Sequence, residues 1–360
     1  MDLTPFLAID PYSLDKTAKR ALLNKELRRL TVYHYENCEP YRKIICSLGL
    51  DTQKLPEYDE LPFLPVRLFK EYDLQSIKTA DVVKTLTSSG TSGQQVSRIF
   101  LDKTAAVNQT KVLTKIVTSY IGNKRLPMII LDSDSVIKNR AMFSARGAGI
   151  IGFSIFGSEK VYAFDDDMKL NIPLLKDFLE NHSDKTIFIF GFTYMVWKYF
   201  YQELVKMAYK PNLSKAILIH GGGWKKLAAE AVSSQEFKQG LHAVCGIEAA
   251  NIHDYYGMVE QTGTIYLECE HGYLHAPLFS DVLIRRSRDF SLAKNGEKGI
   301  IEVVSILPES YPGHILLTED EGTIAGEDDC PCGRLGKYFT VHGRVKGAEI
   351  RGCGDTYEQR

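Results

Sequence analysis

The chain of 360 residues contains no run of about 18 apolar residues, so no membrane-spanning helix and no membrane insertion are expected. Its first residues, MDLTPFLAIDPYSLDK, lack the basic region, apolar core and small-residue cleavage site of a secretory leader, and a cytoplasmic location is the default expectation. An excess of either charge is missing as well: 44 Lys and Arg stand against 45 Asp and Glu, which gives no electrostatic reason to expect nucleic acid as a partner. Internal repeats and low-complexity linkers are absent. The seven cysteines are an odd number for a disulfide framework, and in a cytoplasmic protein of this size thiols are expected to stay reduced. Their spacing therefore matters more than their number.

What is present is an alternation of elements. Residues 14–48 carry Leu22, Leu23, Leu27 and Leu30 among Lys and Arg, the spacing of an amphipathic helical segment. Short branched runs at Met128 to Leu131, Ile187 to Phe190, Ala216 to Ile219 and Ile300 to Val304 predict buried strands. Helical patterns fall between them at 103–121, 194–209 and 226–239. The alternation predicts an α/β fold of layered sheets covered by helices, with a core domain over 1–340 and a short mobile tail over 341–360.

The most informative stretch is Thr87-Ser88-Ser89-Gly90-Thr91-Ser92-Gly93. Glycines let backbone N–H groups approach an anion and the hydroxyls add donors, so a triphosphate is the natural ligand. The run is neither a GxxxxGK[ST] loop nor a dinucleotide fingerprint, and taken alone it is also what a flexible polar turn looks like. Two further motifs follow in order: Gly221-Gly222-Gly223-Trp224 after an expected strand, and Asp254-Tyr255-Tyr256-Gly257-Met258-Val259-Glu260. Later come Leu317-Thr318-Glu319-Asp320 and Gly343-Arg344-Val345-Lys346.

In this order the motifs resemble those of the adenylate-forming superfamily of acyl-CoA synthetases and peptide-synthetase adenylation domains. The resemblance implies ATP and Mg²⁺ as cofactors. It implies phosphate contacts from Thr87 to Gly93, Glu260 as a Mg²⁺ ligand, and Tyr256, followed by Gly257, stacking on adenine. The backbone of Gly221, Gly222 and Gly223 would line the adenine site, Asp320 would accept from the ribose hydroxyls, and Arg344 would join the nucleotide site. Two departures stand out. Val259 occupies the place where the superfamily carries a hydroxyl, and Glu319 the place of a glycine. The core of Tyr256 and the acid of Asp320 also have bland explanations, as a packing residue and a solvated charge.

The end of the chain, GRVKGAEIRGCGDTYEQ, together with PFLPVRLFK at 62–70 and TSSGTSG, resembles the acyl-protein synthetase family of bacterial luminescence. That family is the synthetase component of a fatty-acid reductase complex. The resemblance implies activation of a fatty acid as acyl-AMP and transfer to a cysteine matched here by Cys353, with Lys346 nearby. Delivery would then be to an acyl reductase subunit that makes fatty aldehyde, with an acyl-transferase subunit as a further partner. Flanking glycines leave the Cys353 thiol open, and cations close in sequence favour the thiolate. The alternative is an inert surface cysteine. Cys269, His275, Cys330 and Cys332 could form a tetrahedral S₃N site for structural Zn²⁺, with His271 in reserve, or remain free thiols. Phenylacetate-CoA ligases, which this Cys/His pattern also resembles, supply the competing expectation of a CoA or carrier-protein ligase. A non-catalytic nucleotide-binding scaffold is the other.

Overall fold

The computed structural model describes residues 2–88, 95–138, 145–224 and 230–345. Its strands in chain order are β1 Leu64–Pro65, β2 Lys84–Thr87, β3 Arg98–Leu101, β4 Leu126–Leu131, β5 Gly157–Tyr162, β6 Ile187–Phe192 and β7 Ala216–Gly221. There follow β8 Ile252–Tyr256, β9 Tyr266–Glu268, β10 Leu274–His275, β11 Ser280–Arg285, β12 Gly299–Ser305, β13 Ile315–Glu327 and β14 Lys337–Arg344. All but β2 and β3 join one sheet, in the order β11-β12-β13-β14-β10-β9-β8-β7-β6-β4-β5, with β1 attached to β13. The β4–β8 portion is parallel and the rest of the path antiparallel.

Chemistry explains the division. Every residue of β6, IFIFGF, is buried, as a parallel strand covered on both faces must be. Helices Lys103–Ile121 and Ala145–Ser154 and the segment from Thr193 to Lys206 supply the covering layers. In the antiparallel half, the Ile315–Glu327 strand is buried through Thr318, and from Gly322 its positions alternate between buried and more exposed. The N-terminal helix Lys16–Asn37 begins where Asp15 accepts from the Ala18 N–H, and it buries Leu23, Leu27 and Leu30 in the main core. Each such leucine contributes about 2 kcal/mol of burial. Among the described residues no helix is long and apolar enough to cross a membrane.

Three boundaries differ from expectation. Of the helix expected over 226–239, residues 226–229 lie outside the described residues, and the described helix runs over Ser234–Cys245, because Ser233 caps it through the Glu236 N–H and Gly246, at φ +75°, ends it. Residues 194–209 do not form one α-helix: a π-helical turn at Val196–Tyr201 interrupts it. The boundary expected near 341 falls inside β14, which pairs with β13 as far as Arg344. Residues 346–360, including Lys346 and Cys353, lie outside the described residues.

Candidate functional site

Strand order reverses at β4, with β5 on one side and β6, β7 and β8 on the other. Such a reversal opens a crevice beyond the carboxyl ends of the strands, where ligands of open α/β sheets bind. Gly221 ends β7 there and Tyr256 ends β8.

The three glycines have separate reasons. A Cβ at Gly221 would lie 2.5 Å from the Tyr255 ring, whereas Gly222 and Gly223 adopt φ +85° and +61°, a conformation that side chains oppose. Glycine at 221 lets β7 pair closely with β8. Glycine at 222 and 223 turns the backbone out of the sheet.

From the end of β8 the Tyr256 hydroxyl donates to Asp320 Oδ2, on β13, at 2.8 Å. Asp320 faces Arg344 in the β13–β14 register, with Arg344 Nε 3.7 Å from Asp320 Oδ1 and Nη1 3.3 Å from Glu319 Oε2. The Thr318 hydroxyl donates to the Ile301 carbonyl and accepts from the Asp320 N–H, which fixes the TED segment where the β12–β13 register shifts. Burial, then the charge of Asp320, hold the Tyr256 phenol well above its usual pKa, so it remains a donor. Tyr256, Asp320 and Arg344, scattered in sequence, are thereby brought together.

Glu260 sits in the single 3₁₀ turn Val259–Gln261 and is 4% exposed. Gln261 anchors that turn by donating to the carbonyls of Val303 and Gly313. Val259 packs against the second apolar core instead of offering a hydroxyl. Thr87 ends β2, and β2 pairs with β3 to form a separate hairpin. The hairpin closes where the Ser88 N–H donates to the Ser97 carbonyl and the Ser97 N–H to Ser88 Oγ. Ser89, Gly90, Thr91, Ser92 and Gly93 lie outside the described residues.

Two polar groups at the strand ends have no motif in the sequence. His220 Nδ1 is 3.0 Å from Thr193 Oγ1 and 3.6 Å from Asp254 Oδ1, which links β6, β7 and β8 beside the glycine turn. Burial, then Lys238, pull the His220 imidazole down to about 3, so the ring is neutral. Asp132, just past β4, forms a buried ion pair with Arg146, whose Nε donates to Oδ2 at 2.6 Å.

Cys269, His275, Cys330 and Cys332 converge at the other end of the antiparallel strands, with their ligand atoms all within 4.8 Å of one another. Cys269 and Cys330 sulfurs are 4.0 Å apart, and Cys332 Sγ is 3.4 Å from His275 Nε2. A tetrahedral zinc with ordinary bond lengths has S–S edges of about 3.8 Å and S–N edges of about 3.6 Å, so the four residues fit that ion. Burial, then Arg334, hold His275 down to about 4, which leaves a neutral imidazole able to ligate. The cluster joins the β9–β10 hairpin to the β13–β14 loop. Beside it, the Leu335 N–H donates to the Tyr12 carbonyl and the Leu278 N–H to that of Pro11.

The family model described as "Acyl-protein synthetase, LuxE" matches residues 3–360. The long-chain-fatty-acid–luciferin-component ligase of Vibrio harveyi is 23% identical over 356 residues, covering 95% of this chain and 88% of the relative. Among solved structures, an open conformation of 2-hydroxyisobutyryl-CoA ligase with 2-HIB-AMP and CoA superposes with a TM-score of 0.73 at 13% identity, over 95% of this chain and 79% of that one. The same ligase in a postadenylation state with 2-HIB-AMP gives 0.72 at 12% identity, over 93% and 70%. The fold is that of adenylate-forming ligases, as the motif order implied.

Proposed function

The chain belongs to the LuxE acyl-protein synthetase family, and from that premise we propose that it activates a long-chain fatty acid with ATP and carries the acyl group on its own Cys353. A carboxylate oxygen attacks the α-phosphorus of ATP, the bond to pyrophosphate breaks, and acyl-AMP forms. The Cys353 thiolate then attacks the acyl carbonyl, AMP leaves, and the resulting thioester passes its acyl group to a reductase subunit. An acyl-transferase subunit is the further partner that would supply the acid.

The observation that carries this reading is the meeting of Tyr256, Asp320 and Arg344 beside the Gly221–Gly223 turn. Tyr256 is assigned to the adenine face, Asp320 to the ribose hydroxyls, and Arg344 to the charge of Asp320 and the nucleotide. Thr87, Ser88 and the loop through Gly93 are assigned to the phosphates, where backbone donors stabilise charge growing on the leaving pyrophosphate. Glu260 would hold Mg²⁺, which neutralises phosphate charge when bound. The four-residue Cys/His cluster would hold a structural Zn²⁺ remote from the chemistry.

The test is fatty-acid-dependent ATP–pyrophosphate exchange without CoA. Exchange that needs the acid and ATP alone supports the reading, whereas an absence of exchange leaves a nucleotide-binding scaffold. Multiple turnovers that require CoA would identify a CoA ligase instead.

A further inference from the structure

A cavity of about 200 Å³ lies between the N-terminal helix Lys16–Asn37 and strands β11, β13 and β14. Lys16, Lys19, Arg20 and Lys337 line it with three carboxylates, those of Asp59, Asp281 and Glu327. A fourth carboxylate, Glu57, lies just outside the lining with Oε2 3.2 Å from Arg20 Nε, so cations and carboxylates balance in number but not in position.

The buried end is the one short of carboxylate. Asp281 receives two ammoniums: Lys337 Nζ at 2.6 Å from Oδ2 and Lys19 Nζ at 3.5 Å from Oδ1. Tyr58 donates a further hydrogen bond to Oδ2 at 2.6 Å. At the mouth, Arg20 is matched by both Asp59 and Glu57 and Lys16 by Glu327. The Lys19–Lys337 pair therefore shares a single carboxylate, while Arg20 at the mouth has two.

Donors are in surplus too. Two ammoniums carry six N–H groups. Lys19 reaches the Ala276 carbonyl at 2.8 Å and Asp281, and Lys337 reaches Asp281 and the Tyr58 oxygen at 3.3 Å. Among the described residues these four contacts leave two N–H groups without a protein acceptor beside the cavity. Lys19 is only 3% exposed. Burial pulls its ammonium below the ordinary value, although Asp281 opposes this, and an anion in the cavity would restore it. Buried charge and unsatisfied donors are costly unless something compensates them.

We infer that this cavity binds a small oxyanion, a phosphate or a carboxylate, between Lys19 and Lys337. The site is separate from the nucleotide crevice. On β14, Lys337 pairs with Glu327 while Arg344 pairs with Asp320, seven residues further along the same strand, or about 23 Å. An anion here ties the N-terminal helix to the antiparallel sheet without touching the chemistry.

The experiment is thermal unfolding of the full chain titrated with millimolar sodium phosphate, sodium acetate or sodium chloride at constant ionic strength and pH. Phosphate should raise Tm saturably by about 2–4 °C while chloride does not. The rise should vanish in Lys337→Met and shrink in Arg20→Gln. A saturable rise with acetate but not phosphate, lost in the same variants, supports the site and makes its ligand a carboxylate. If Lys337→Met does not fold, Arg20→Gln decides. No saturable rise with either oxyanion, or one that persists undiminished in every folded variant, overturns the inference.

Discussion

The Tyr256 hydroxyl and Asp320 Oδ2 are 2.8 Å apart, although 64 residues separate them in the chain. Two side chains expected to hold the base and the ribose of one nucleotide are thus direct partners. The bond is charge-assisted and partly buried, the kind worth about 1.5–3 kcal/mol. Asp320→Ala should lower kcat/KM for ATP by about 100-fold. Tyr256→Phe keeps the ring and loses only the hydroxyl, so it should cost about tenfold. Steady-state exchange kinetics with ATP varied check both, and equal small losses would separate this pair from the nucleotide.

Glu260 is buried on a turn that Gln261 holds from two carbonyls. Glu260→Gln preserves shape while removing the charge. It should reduce fatty-acid-dependent pyrophosphate exchange by about two orders of magnitude, the scale of losing one strong charge-stabilising group. Circular dichroism and Tm should show a folded protein. Near-normal exchange in that folded variant would take Glu260 out of the active site.

Four side chains at Cys269, His275, Cys330 and Cys332 have the spacing of a tetrahedral zinc. Atomic emission on purified protein should find about one zinc per chain. Cys332→Ser should lose the metal and several degrees of Tm, because the site cross-links the β9–β10 hairpin to the β13–β14 loop. Metal-free protein of undiminished stability would leave these residues as free thiols.

Acid should destabilise the fold through its buried imidazoles. Burial holds His34 and His220 down to about 3 and His253 to about 4, with His314 also well below its usual value. Each binds fewer protons folded than unfolded. Their contribution is therefore full above about pH 6.5 and is lost as pH falls from there toward 3–4, by at most about 1.4 kcal/mol per pH unit for each histidine. Urea unfolding at pH 7, 6 and 5 should give a falling midpoint. His34→Gln should lower stability at pH 7 and flatten the slope, and an unchanged slope would mean that His34 is not one of the groups taking up protons.

The parts of the site visible in sequence are those whose chemistry leaves a pattern. Gly221–Gly223 are legible because a close strand approach and two left-handed turns each admit glycine alone at little cost. The Cys/His set is legible because few other residue types bind zinc. His220 with Thr193 and Asp254, and Asp132 with Arg146, were not. Each is a single polar residue at the end of an apolar strand, and its partner is chosen by strand pairing or helix placement, which spacing does not reveal. The shift of the helix from 226–239 to Ser234–Cys245 has a local cause. The Ser233 hydroxyl accepts from the Glu236 N–H and starts the described helix there, a local signal that apolar spacing does not carry.

Capture of the acyl group by Cys353 is the central claim, and intact-mass spectrometry after incubation with ATP, Mg²⁺ and a fatty acid tests it most directly. A thiol carried by the same chain meets the adenylate at high effective concentration, with no diffusing acceptor. The wild-type chain should gain the mass of one fatty acid less one water, and neutral hydroxylamine should remove it. Cys353→Ser should keep pyrophosphate exchange and gain nothing. A Cys353→Ser chain that acquires the same hydroxylamine-sensitive adduct, or an adduct mapped to another cysteine, would contradict the account.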